Sequence, residues 1–127
     1  MRKTILIGVI LAALAGASGA LAGPWEDGMA AYNRGDYVPA IRLFRPLAEK
    51  GNPKAQGVIG AMYRKGKGVA RSSAHAFMWF SLAAARGDAK AKAELHEMSG
   101  EMTPAEIAQA KEMMQSCEAS NYRDCAY

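Results

Sequence analysis

Shifted by 36 residues, the chain aligns with itself. "AIRLFRPLAEKGNPKA" (40–55) falls on "AFMWFSLAAARGDAKA" (76–91) with six identities, Phe44 with Phe80 and Gly51 with Gly87 among them. Lys50 meets Arg86, and Asn52 meets Asp88. Further back the register slips by five residues, because Tyr32-x-x-Gly35 matches Tyr63-x-x-Gly66. A period of this size made of one repeating unit restricts the fold severely: each unit buries its apolar face only against its neighbours, so the units must stack.

The unit is helical. Pro24 stands where a first helical residue belongs, with Glu26 and Asp27 at the positive end of the helix dipole and Gly35 as the stop. Asp36 is the expected cap of a second helix with an apolar face of Ala40, Ile41, Phe44, Leu47 and Ala48, ended by Gly51. Pro46 lies inside it, removes the bond to the Arg42 carbonyl and predicts a kink. Asn52-Pro53 opens a third helix through Tyr63, and Ser72 or Ser73 a fourth ending at Gly87. Asp88 opens a fifth through about Met98, and Thr103-Pro104-Ala105-Glu106 is a capping box that starts a sixth. No stretch alternates with a period of two. The expected fold is all-α: about six helices as antiparallel hairpins stacked into a short α-solenoid.

The first 22 residues stand apart. Met1-Arg2-Lys3 leads into an apolar run from Ile5 to Ala17 and then to Ala20-Leu21-Ala22, the pattern of a secretory signal peptide cleaved after Ala22. A retained anchor is the alternative, but the run is shorter than the ~20 residues a spanning helix requires and glycines break it. Loss of Arg2 and Lys3 lowers the formal charge from +4 to +2. The remaining bases are scattered among acids, which argues against a nucleic-acid groove or a membrane patch. The expected product, residues 23–127, is periplasmic or secreted, with no membrane span after cleavage.

Cys117 and Cys125 are the only cysteines. In an exported chain such a pair is most simply a disulfide, here tying the C-terminal tail to the last helix. A redox-active pair would favour C-x-x-C spacing, and zinc would require two further ligands; His75 and His96 lack ligand-like spacing to either cysteine.

The segment between the third and fourth helices, "YRKGKGVARSS", is rich in glycine and cations and superficially suits a phosphate. A Walker loop, however, runs from a strand and reads G-x-x-x-x-G-K-[ST]. Here a helix precedes the loop, and Gly68 follows Lys67 where a hydroxyl residue belongs. Gly66 instead suits a left-handed helix end, Gly68 a tight return, and Val69 an inward tuck.

The whole stretch 55–87 resembles a Sel-one-like repeat, a relative of the tetratricopeptide repeat. Ala55, Gln56, Gly60, Met62, Tyr63, Gly66, Gly68, Val69, Ala76, Trp79, Ala83, Ala84 and Gly87 follow that pattern in order. Ile59, Phe80 and Ser72 replace its Leu, Tyr and Asp. The resemblance covers one full repeat, about 52–87, with a partial repeat before it, the first helix of another after it, and a closing helix at about 103–117. It implies that Gly60 admits a close helix partner, that Trp79 and Phe80 fill the core, and that the first helix of each hairpin lines a concave face.

Nothing in the sequence assembles a reaction. "HEMSG" at His96 lacks the second histidine of a zinc protease, Ser81 and Ser116 have no histidine base at a recognisable spacing, and no S-x-x-K is present. His75 and His96 read as boundary or surface residues, and the methionines as core and gap filling. The resemblance therefore implies a non-catalytic module, without cofactor or metal, that binds a peptide or helix of a protein partner in the cell envelope. Gln56, Arg64 and Lys92 are the residues expected to face that partner, with ordinary solvated positions as the alternative. Cysteine-rich relatives imply a second possibility, a penicillin-binding or β-lactam-hydrolysing protein, since their cysteine pairs also enclose seven residues.

Overall fold

A computed structural model describes residues 22–125 of the chain. The signal peptide expected over 1–22 lies, apart from Ala22, outside these residues. The described residues form six α-helices and no strand: α1 (Pro24–Asn33), α2 (Tyr37–Glu49), α3 (Pro53–Lys65), α4 (Ser73–Ala85), α5 (Ala89–Ser99) and α6 (Pro104–Ala119).

The helix starts are set by local chemistry. Proline occupies the first position of α1, α3 and α6, where a missing N–H costs nothing. Asn52, Ser72 and Asp88 each accept the backbone N–H three residues on, and Thr103 with Glu106 closes both bonds of a capping box. Asp36 departs from expectation. Its carboxylate takes the Arg34 side chain at 3.2 Å and caps nothing, because the backbone at Asp36 (ψ 70°) is not in the usual extended capping conformation. Pro46 lies within α2, which runs on as one helix to Glu49.

Packing follows chain order, with α1 on α2, α2 on α3, α3 on α4 and α4 on α5. The exception is α6, which crosses back to α4 and packs there more extensively than on α5. Helix α4 is therefore the centre of the molecule, and Ala76, Phe77, Met78, Trp79, Phe80, Leu82 and Ala83 are all buried. Its composition explains this: a helix apolar on every side has no face to give to water.

The same contact is made twice. A methyl group on Gly28 would stand 2.7 Å from the Phe44 ring, and one on Gly60 would stand 2.9 Å from the Phe80 ring. In each case the absent side chain lets one helix backbone rest on an aromatic ring of the next. The glycine–phenylalanine pairs place Gly60 opposite Gly28, 32 residues apart, whereas the tyrosine match in the sequence is 31 apart. That single-residue difference is about 100° of helix rotation. Accordingly Tyr63 is buried against the His75 ring, while Tyr32 is only partly buried.

The glycine-rich loop binds the preceding helices. A side chain at Gly68 (φ +75°) would collide with the Tyr37 backbone at 2.8 Å. Beside it the Lys67 ammonium lies 5.2 Å from the Tyr32 ring centre and 5.1 Å from that of Tyr37, and donates to the Tyr32 hydroxyl at 3.4 Å. Such a cation is held by the ring quadrupoles. Gly66 ends α3 in the left-handed conformation expected of it.

Cys117 and Cys125 are disulfide-bonded. The bond folds the tail onto the end of α4, where Arg86 donates to the Tyr122 hydroxyl at 2.8 Å and lies over its ring.

Candidate functional site

Helices α1, α3 and α5 share an open groove of about 400 Å³. One wall is an aromatic and thioether stripe, Trp25, Met29 and Tyr32, at spacings of four and three on α1. The adjoining stripe of the same helix, Gly28 and Ala31, is buried. Helix α1 is thus apolar on two neighbouring strips, of which one is left for the groove. The floor is Gly57, Val58 and Ala61 of α3, with Phe80 behind them. Because these α3 residues are small, the bulk of Trp25 and Tyr32 has open space to face. Trp25 packs on the Phe44 ring at 5.3 Å and Tyr32 on that of Tyr37 at 5.3 Å, so each has an aromatic neighbour on the side away from the groove's open space.

The charged lining comes from Lys54, Asp88, Lys90 and Glu94. Both acids are already engaged: Asp88 accepts from the Ala91 N–H at 2.9 Å, and Glu94 receives the Arg64 guanidinium. Lys54 and Lys90 are both exposed and have no ion-pair or hydrogen-bond partner among the described residues. They occupy the second position of α3 and α5 and are one of the six identities of the 36-residue alignment.

The three residues expected to face a partner are not brought together. Gln56 is fully buried: its amide donates to the Ala48 carbonyl at 3.1 Å and pins the turn between α2 and α3. The expectation that it faces a ligand is therefore corrected; as a polar residue it found a backbone carbonyl in the core instead of solvent. Arg64 is occupied. Besides Glu94 it reaches Glu97 at 3.3 Å and Glu101 at 3.6 Å, tying α3 to α5 and the turn beyond. Burial works against its charge, but the hydrogen bonds and Coulombic attraction of Glu94 and Glu97 outweigh that and raise its pKa. Lys92 is exposed on α5 but is not part of the groove lining.

The groove residues were absent from the sequence reading, although one signal for them was present. Trp25, Met29 and Tyr32 form a second apolar stripe on a helix whose buried face is only glycine and alanine, more large apolar surface than that packing uses.

Catalytic geometry is sparse. Ser72 Oγ lies 2.6 Å from His75 Nδ1, but the same oxygen accepts the His75 N–H, so the contact arises from helix capping. Burial lowers the His75 pKa, with no carboxylate contributing. Among the described residues no three His, Cys, Asp or Glu side chains cluster to hold a metal ion, and no helix is long and apolar enough to cross a membrane. What the groove supplies is apolar contact plus two uncommitted ammonium groups. No protein-family model matches the chain.

Proposed function

We propose that this protein is a small exported binding module of the Sel-one-like kind, a short solenoid of helical hairpins that holds a peptide or helix of an envelope protein in the groove of α1, α3 and α5. The observation that carries this reading is the groove itself, with large rings on one wall facing small residues on the floor. Rigid aromatic anchors beside a cleft are what peptide-binding surfaces use, since little side-chain entropy is lost on binding. Supporting it, the glycine–phenylalanine helix contact recurs in successive units as a stacked repeat requires, and the disulfide fits an oxidising compartment.

A photo-crosslinking amino acid in place of Ala61, in the groove, is compared in living cells with one in place of Lys111, which is exposed on α6. The expected result is a discrete crosslinked protein from position 61 and none from position 111. Equal labelling from both, or none from position 61, overturns the proposal.

A further inference from the structure

A second hollow, of about 440 Å³, lies where α2, α4 and α6 end, and shares no residue with the groove of α1, α3 and α5. Lys50 closes α2, Arg86 closes α4, and Asn121, Tyr122 and Arg123 follow α6. With Glu49 counted against them, the three cations leave the lining a formal +2. Asp88, Glu118 and Asp124, the other acids close in sequence, do not line it. Lys50 and Arg123 are exposed, and no side chain engages either of them among the described residues.

Cations at helix ends ordinarily meet the last carbonyls. Here the turns after the helices meet them: Gly51 and Asn52 donate to Ala48 and Leu47 at 2.9 and 3.0 Å, and Gly87 and Asp88 to Ala84 and Ala83 at 2.9 and 3.1 Å. Arg86 is held by other contacts. Its guanidinium lies across the α2–α3 turn, where a methyl group on Gly51 would stand 2.6 Å from the guanidinium carbon, and it donates to the Tyr122 hydroxyl at 2.8 Å. Tyr122 takes left-handed backbone (φ 64°), as does Asn121 (φ 56°), inside the loop that the Cys117–Cys125 bond closes. That conformation is unfavourable for a bulky residue, persists only where the surroundings enforce it, and clusters at functional sites. Having accepted from Arg86, the Tyr122 hydroxyl keeps its own proton to donate.

We infer that this hollow binds the phosphate group of a phosphate monoester. Lys50, Arg86, Arg123, the Asn121 amide and the Tyr122 hydroxyl are donors carried on three separate segments, the ends of α2 and α4 and the disulfide-closed tail. A monoester presents three acceptor oxygens and a charge of about −2, which meets both the number of donors and the formal charge of the lining. A carboxylate offers two oxygens in one plane and uses less of it. The site is separate from the peptide groove and stands or falls without it.

The test is a nuclear magnetic resonance titration of the ¹⁵N-labelled protein, produced from its full coding sequence, with glycerol 3-phosphate at about pH 7.5, where a monoester is mostly dianionic. Succinate, a dianion without phosphate, is titrated at equal ionic strength. The expected outcome is a saturable shift confined to the amides of Lys50, Gly51, Arg86, Gly87 and residues 121–123, with succinate weaker by about tenfold or more. Lys50→Gln/Arg123→Gln, at two exposed positions, should weaken phosphate binding by about tenfold or more with unchanged far-UV circular dichroism. Tyr122→Phe keeps the ring and should weaken it by a smaller factor. No saturable shift, a shift centred elsewhere, equal affinity for succinate, or unchanged affinity in the double variant overturns the proposal. Flotation with phosphatidylcholine vesicles, with and without phosphatidic acid, then assigns the source of the phosphate. Capture that needs phosphatidic acid and is lost in the double variant identifies a lipid headgroup, and no capture identifies a soluble monoester.

Discussion

Two glycines of α3 should respond to the same substitution with opposite sign. Gly57 and Gly60 both lie inside the helix, where alanine is intrinsically better by about 1 kcal/mol. At Gly57 a new methyl group meets only the Asp88 carboxylate, at 3.9 Å, so Gly57→Ala should realise most of that gain. At Gly60 the methyl arrives 2.9, 3.0 and 3.1 Å from three atoms of the Phe80 ring, where carbon pairs settle at about 3.5–4.0 Å. Phe80 is itself only 2% exposed and cannot swing into solvent. Overpacking of this kind costs about 1–3 kcal/mol, which exceeds the propensity gain and leaves Gly60→Ala destabilised by about 1 kcal/mol. At about 4–8 °C per kcal/mol the two variants should move apart in Tm on either side of the wild type. Calorimetry together with urea unfolding followed by far-UV circular dichroism measures both. A Gly60→Ala protein that gains stability in step with Gly57→Ala would show that the helices do not meet at this glycine, and the close-packed α3–α4 contact would be wrong.

Trp79 is fully buried at the centre of α4, and its replacement by alanine should cost about 3–5 kcal/mol, read from the urea midpoint. Reduction of the Cys117–Cys125 bond, or Cys125→Ser, should cost about 2–3 kcal/mol by loop entropy and free Tyr122 from Arg86, detectable as faster amide exchange confined to the tail and the end of α4. Because burial holds the His75 pKa below its ordinary 6.5, the unfolded chain takes up that proton before the folded one does as pH falls. The His75 contribution to stability is therefore complete above about 6.5 and is lost below it. Tm should decline between about pH 7 and pH 5, and His75→Gln should flatten that decline.

The helices were readable because their boundaries are written in local chemistry. Proline at a first turn, Asn52, Ser72, Asp88 and Thr103 as caps, and glycine after the last turn act over three or four residues and need no distant partner. Gly60 as a point of close helix approach was an expectation from the resemblance alone, and its equivalence with Gly28 shows only in the packing. Asp36 was not. Whether its carboxylate caps α2 or takes Arg34 depends on a backbone angle that no residue type specifies.

The candidate site divides along the same line. The sequence by itself determined that the described residues are helical without strands, where most of the helices begin, and which cysteines were available to pair. It also holds the Lys54–Lys90 identity, but alignment cannot say whether equivalent residues point into a cleft, into the core or at a counter-ion. Only the tertiary structure decided that Gln56 is spent on the Ala48 carbonyl, that Arg64 is spent on three carboxylates, and that Trp25, Met29 and Tyr32 are left facing open space. The physical reason is range. Caps and turns are settled within one helical turn, whereas exposure and pairing depend on rotation about the helix axis, and one residue of slip between Gly28 and Gly60 turns the matched tyrosines to different surroundings.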